Sequence, residues 1–417
     1  MSTPTTSAQR PRWEVADVIR LHGEAFLARH GAALTSAQRR ALRDLAACRT
    51  ATLGGHLERC GDCGHERPAY NSCRNRHCPK CQALTRARWL QREASLLLPV
   101  DYYHVVFTLP AEVAALALAN PRRIYNLLFD ASARALREVA AERRFLGAEP
   151  GWVAVLHTWG QDLHHHPHLH CVVTGGGLAC DAQGRRLEPP CWRACRPGFF
   201  LPVRLLSRAF RGHFLSGLRQ ACAGGRLALA GDLAAPAAFA AWLAALAVKD
   251  WVVYAKPPFG GPAAVLGYLA RYTHRVAISN GRLLEVSDRG VRFTYKDYAD
   301  HGRQKVRALS GEEFLRRFLQ HVLPRGLVKV RHYGLLANRR READLAACRR
   351  LLAAGPPASV GATAAVEPAA RPTCPRCGSD RLLRLPGVLP PAGSAAAAVA
   401  AEAAGGPATA IAAPNSS

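Results

Sequence analysis

Residues 152–174 read WVAVLHTWGQDLHHHPHLHCVVT, and the way this stretch folds decides the rest. Trp152 to Trp159 and His168 to Thr174 are rich in β-branched and aromatic residues, which predicts two strands. The QDLHHHP segment between them is short enough for a hairpin connection. Alternate residues of a strand face one side, so His168 and His170 point together while Leu169 faces the other way. Two imidazoles side by side on a rigid strand form a clamp for a divalent metal. Gln161, just past the first strand, is expected to fold across the hairpin as a third, oxygen ligand; His157 offers a nitrogen instead. Such a set leaves positions open for water and phosphate oxygens, which suits Mg²⁺ or Mn²⁺ acting as a Lewis acid. The plain alternative is a run of surface histidines, which is the reading given to His164, His165 and His166. Gly175-Gly176-Gly177 reads as a turn ending the second strand.

Outward from this hairpin the signals alternate between strand and helix, giving an α+β class. Upstream, DYYHVVFTLP from Asp101 to Pro110 predicts a strand, and Ala111 to Phe145 a long helical region. Downstream, 204–250 is largely helical, WVVYAKPP from Trp251 is a further strand, and Pro262 to Thr273 is a helix opening on proline. Residues 278–299 alternate around Asn280-Gly281, a hairpin signal. Glu312 to His321 reads as helix. Three units follow: a helical and zinc-binding N-terminal part (1–98), a catalytic part (99–345), and an Ala/Pro/Gly-rich tail (346–417), low in complexity and disordered past Leu385, with an isolated CPRC whose Cys374 and Cys377 are either half of a metal site completed by another segment or a remnant.

The charge points to a polyanion. The chain holds 56 Lys+Arg against 30 Asp+Glu, a net +26, and almost all of it precedes residue 355. A folded body that basic repels itself unless neutralised, and nucleic acid is the usual partner. Membrane insertion is excluded by pattern. No secretory leader is visible, and the longest apolar stretch, Leu233 to Val248, is Ala-rich, interrupted by Pro236 and too short to span a bilayer. The 14 cysteines therefore read as intracellular metal ligands and buried thiols rather than disulfides.

The segment CGDCGHERPAYNSCRNRHCPKC, 60–81, carries two CxxC pairs. Four thiolates satisfy tetrahedral Zn²⁺, so Cys60, Cys63, Cys78 and Cys81 are expected to hold one structural zinc, with Cys73 and His77 in reserve. Arg59, Arg67, Arg74, Arg76 and Lys80 decorate this segment as candidate phosphate contacts. In GYLARYTHR, Tyr268 and Tyr272 stand four residues apart, on one face of a helix. A phenol attacks phosphorus competently when a metal polarises the phosphodiester, and Arg271, His274 and Arg275 supply cations beside it. Lys296 is a candidate for neutralising charge in the transition state. The plain alternative is a pair of core tyrosines.

Together the zinc segment, YYHVVFTLP, HPHLHC and YLARYTHRVAISNGRL resemble the HUH transposases of rolling-circle insertion sequences, the IS-ninety-one type. The resemblance spans roughly residues 10–340. It implies an HUH-type antiparallel sheet flanked by helices, with His168 and His170 as metal ligands and Tyr268 and Tyr272 as nucleophiles. It further implies cleavage and joining of single-stranded element ends through a 5′-phosphotyrosine, on the bacterial nucleoid in the cytoplasm. A plasmid-type replication initiator or relaxase would share this chemistry. A non-catalytic zinc-dependent DNA-binding regulator would use the His and Tyr pairs structurally.

Overall fold

The computed structural model describes residues 11–259, 264–265, 267–268, 277–298, 300–353 and 373–392, without the side chains of 83–88 and 257–259. Its centre is a six-stranded antiparallel sheet. Across it lie β11 (Val330–Gly334), β4 (Ala148–Trp159), β5 (His165–Ala179), β3 (Tyr102–Thr108) and β7 (Val253–Phe259), with β6 (Trp192–Ala194) paired to the far end of β5. The architecture is the expected α+β mixture of antiparallel sheets and helices.

Alternation gives this sheet two different faces. Tyr103, Val105 and Phe107 of β3, Leu169, Cys171 and Val173 of β5, and Ala154 and Leu156 of β4 are buried on one side. There they pack against α5 (Pro121–Ala141), α6 (Val203–Ala223) and α7 (Pro236–Val248). Proline at the first position of α5 and of α7 fits, because that N–H has no intrahelical partner. The opposite face carries the histidines. Over Val153, Val155 and Val172 it is covered by Trp89 and Leu90 of α3 (Gln82–Ala94), by Leu345 and Cys348 of α9 (Arg341–Ala353), and by Val265 and Tyr268. Arg186 bridges Glu149 at 2.7 Å and the buried Asp344 at 2.6 Å, which ties α9 to the sheet.

The glycine run is not a turn. β5 continues through it, and Gly177 lies opposite Pro150 where the pairing with β4 shifts register. A Cβ on Gly177 would stand 2.1 Å from the Glu149 carbonyl oxygen, so the residue is needed for close backbone approach.

A second sheet of β8 (Leu283–Ser287), β9 (Gly290–Asp297) and β10 (Arg303–Leu309) shares one core with α1 (Val15–His30), α2 (Ser36–Ala46) and α8 (Gly311–Gln320). Phe293, Phe314 and Phe318 meet Val18, Ile19 and Leu42 in it. The Asn280-Gly281 hairpin expectation is corrected here. Residues Asn280–Arg282 form a 3-10 turn that leads into β8, and the Asn280 side chain accepts from the Val15 N–H at 3.1 Å. The hairpin tip lies between Ser287 and Gly290, where glycine at φ +136° avoids a Cβ 2.3 Å from the Leu309 carbonyl.

The third sheet joins the two chain ends. β1 (Gly55–Cys60) pairs with β2 (Glu66–Tyr70) on one edge and with β12 (Leu382–Arg384) on the other. The supposedly isolated CPRC segment is thus built onto the N-terminal module, and order extends past Leu385 to Leu389, whose N–H bonds Gly55. The rest of the expected disordered tail, 393–417, lies outside the described residues.

Candidate active site and cysteine clusters

The pleat brings three imidazoles together. His168 and His170 share one face of β5, and His157 of β4 stands directly opposite His168 in register. One ring nitrogen from each of His157, His168 and His170 falls within 4.8 Å of the others. The Nε2 atoms of His168 and His170 approach to 3.1 Å. The other nitrogens are engaged behind the rings. His168 Nδ1–H donates to the His166 carbonyl at 2.7 Å, which leaves its Nε2 as the unprotonated atom, the one able to bind a metal. His170 Nδ1 lies 2.9 Å from His104 Nε2 and 2.9 Å from the Tyr268 hydroxyl. Burial, then the charge of His166, pushes His168 down to about 4, so the ring is neutral as a ligand must be. This donor set fits a divalent cation, with the three histidines as ligands.

His104 is the residue that sequence reasoning missed. Nothing marks a single histidine in YYHVVFTLP as functional, but β3 pairs with β5 and sets its ring parallel to His170, centroids 5.1 Å apart at 6°. Burial, then Lys256 and His168, pushes it down to about 3. Its Nε2 therefore accepts, and the Tyr268 O–H donates to it at 2.6 Å. Lys256 stands opposite His104 on β7 and is exposed, which makes it the cation beside the site.

Tyr268 is buried, 7% exposed, and its hydroxyl meets the histidines from the Nδ1 edge of His170, away from His168 Nε2. Tyr272, Arg271, His274 and Arg275 lie outside the described residues. Gln161, expected as third ligand, sits on the turn after β4 with its backbone carbonyl held by Arg282, while His157 joins His168 and His170 in a group able to hold a metal. Register explains why: His157 still belongs to the strand and faces His168 across the pair. Lys296 is exposed on β9 of the second sheet, opposite Gln304, rather than on the sheet that carries the histidines. His165, taken as a surface residue, is half-buried and bonds the Tyr125 hydroxyl at 2.9 Å.

The cysteines sort into two groups of four, which corrects the single set expected. Cys78 and Cys81 meet Cys48 and Cys73, whereas Cys60 and Cys63 meet Cys374 and Cys377. In the first group Cys48, Cys78 and Cys81 are buried within the N-terminal core. There hydrogen bonds from Cys48, Cys73 and Cys78 hold the Cys81 thiol far below its usual range. In the second, the backbone N–H groups of Cys63 and Asp62 hold Cys60 down at about 6. In each group at least one thiol is thus held toward the thiolate, the zinc-binding form. Much of the basic decoration serves the fold. Arg76 donates to the carbonyls of Leu323, Pro324 and Leu327 at 3.1, 2.7 and 2.7 Å, while Arg67 pairs with Glu58, Arg59 with Glu66 and Lys80 with Glu14. Arg74 remains exposed. Among the described residues no helix is long and apolar enough to cross a membrane.

Comparison with known proteins agrees with this geometry. A family model described as "Putative transposase" matches residues 151–343, and one described as "Transposase zinc-binding domain" matches residues 18–109. The chain is 55% identical over 348 residues to "Putative transposase y4qJ" of Sinorhizobium fredii, covering 83% of this chain and 85% of that one. It is 30% identical over 302 residues to "Transposase for insertion sequence element IS801" of Pseudomonas savastanoi pv. phaseolicola, covering 70% and 68%. No solved structure gives a significant match.

Proposed function

The chain belongs to the IS91-type family of insertion-sequence transposases, and from that premise we propose that it cuts and rejoins single-stranded DNA ends by tyrosine chemistry at the three-histidine site. The observation that carries this reading is the convergence of His157, His168 and His170 on one point with a tyrosine hydroxyl against the same cluster. A bound Mg²⁺ or Mn²⁺ would polarise the scissile phosphodiester as a Lewis acid. His157, His168 and His170 would hold it, and His104 and the His166 carbonyl would fix the ring orientations.

Tyr268 and Tyr272 are the proposed nucleophiles. The phenol oxygen bonds to phosphorus, the P–O3′ bond breaks, the phenolic proton is lost and the departing 3′-oxygen takes one up. The ester keeps the bond energy, so the 3′-OH reverses the attack and joins strands without ATP. In the described position the Tyr268 hydroxyl is engaged on the Nδ1 edge of His170. Attack on a phosphate at the Nε2 edge therefore requires the side chain to turn or its helix to shift. Lys256 is placed to neutralise phosphate charge beside His104. The substrate would be the ends of a rolling-circle element, and the place of action the bacterial cytoplasm, on the nucleoid.

The test is a denaturation-resistant adduct on a single-stranded oligonucleotide bearing an element end. The adduct should form with Mg²⁺ or Mn²⁺, vanish with chelator, carry the 5′ phosphate, and be absent from Tyr268→Phe/Tyr272→Phe. An adduct that persists in the double variant overturns the proposal.

A further inference from the structure

Cys374 and Cys377 are 311 residues or more from the thiols they meet. Cys374 Sγ lies 3.6 Å from Cys63 Sγ, and Cys377 Sγ lies 3.5 Å from Cys60 Sγ. The two segments have the same build. In CGDCG the Gly64 N–H returns to the Cys60 carbonyl at 3.0 Å with Gly64 at φ +69°; in CPRCG the Gly378 N–H returns to the Cys374 carbonyl at 2.9 Å with Gly378 at φ +78°. Each is a zinc-knuckle turn, and the two face each other. The surrounding contacts hold them in register. β12 pairs with β1 from Glu58↔Arg384 to Cys60↔Leu382, Gly61 N–H donates to the Arg381 carbonyl at 2.8 Å, and Arg381 pairs with Asp62 at 2.7 Å.

We propose that Cys60, Cys63, Cys374 and Cys377 bind a second zinc ion, distinct from one held by Cys48, Cys73, Cys78 and Cys81, and that this ion fastens the C-terminal segment onto the N-terminal module. Zn–S bonds of about 2.3 Å in a tetrahedron put sulfurs about 3.8 Å apart. The observed separations match that edge and exceed a disulfide bond of about 2.05 Å. The family match to a zinc-binding domain ends at residue 109 and so contains only half of this site. The ribbon is split, with the whole catalytic sheet inserted between its two knuckles. This inference is independent of the strand-cutting reading, since it concerns metal content and chain-end docking alone.

The experiment measures zinc per full-length chain by native mass spectrometry and maps cysteine alkylation under native conditions, with the exposed Cys191 as internal reference. The expected result is two zinc ions per chain, with Cys60, Cys63, Cys374 and Cys377 alkylated at least tenfold more slowly than Cys191. Cys374→Ser/Cys377→Ser should retain one zinc, with Cys60 and Cys63 now reactive and Cys48, Cys73, Cys78 and Cys81 still protected. One zinc in the native chain, Cys374 and Cys377 reacting as fast as Cys191, or two zinc ions in the variant would overturn it. The wild-type mapping decides the matter even if the variant fails to fold.

Discussion

His104→Phe isolates what stands behind His170, a proposed metal ligand. His104 is 3% exposed and stacks on His170, so phenylalanine keeps a ring in the same space and removes only the nitrogens. Two hydrogen-bonding contacts disappear: Nε2 at 2.9 Å from His170 Nδ1, and the same atom accepting from Tyr268 at 2.6 Å. His170 still has the Tyr268 oxygen at 2.9 Å to hold its tautomer. The loss should therefore sit at the low end for such supporting partners, about tenfold in metal affinity or ~1.4 kcal/mol. Adding Tyr268→Phe removes the second of these contacts at His170 Nδ1 and should bring the loss to about 100-fold, ~2.7 kcal/mol. The assay is Mn²⁺ titration followed by electron paramagnetic resonance, which reads binding without cleavage, with thermal melting as a control on folding. Mn²⁺ affinity in His104→Phe within twofold of wild type would refute the reasoning. So would a loss as complete as in His170→Ala, since His104 would then be acting as a ligand.

Three further perturbations follow from the fold. Arg186→Ala should cost about 3 kcal/mol in denaturant unfolding, because it takes the shared cation from the half-buried Glu149 and from the buried Asp344, which keeps only Arg340 at 3.8 Å; a loss under 1 kcal/mol would show that the bridge is incidental. Gly177→Ala should cost about 3 kcal/mol through the clash with the Glu149 carbonyl, and an unchanged midpoint would refute the close-approach account. Lys329, packed on Trp159 with centroid distance 5.0 Å, is pushed down to about 7 by burial and then by Arg76. Between about pH 7 and the unfolded value near 10.4 the unfolded chain binds more protons, so this group makes stability rise with pH across that window. Lys329→Met should stabilise the protein more at pH 6 than at pH 10, and an equal effect at both would exclude the titration.

The sequence made the clamp legible and hid its supports. His168 and His170 could be read because a strand's period of two puts them on one face whatever surrounds them. That His157 joins them needed pairing register, which sets it opposite His168, and composition does not carry register. His104 was invisible for the same reason: its role exists only where β3 lies beside β5. The two CxxC pairs at 60–63 and 78–81 were recognisable as zinc knuckles, but nearness along the chain suggested the wrong partners. Cys60 and Cys63 close with thiols more than 300 residues away, and local spacing holds no information about that. The glycine run misled because glycine serves both turns and tight strand crossings, and only the Glu149 backbone distinguishes them here.

The tip of the β4–β5 hairpin has a consequence for where the chain can be divided. Leu163 is wholly buried in the core formed by α1, α2 and the second sheet, Asp162 is gripped by Arg307 at 3.0 Å, and the Leu163 carbonyl meets His321 Nε2 at 3.2 Å. The strands that present the three histidines are thus braced by a lobe to which the first hundred residues contribute about half the packing. A fragment begun at residue 99 would bare Phe293, Phe314 and Leu163 to water and leave the ligand hairpin cantilevered from one end.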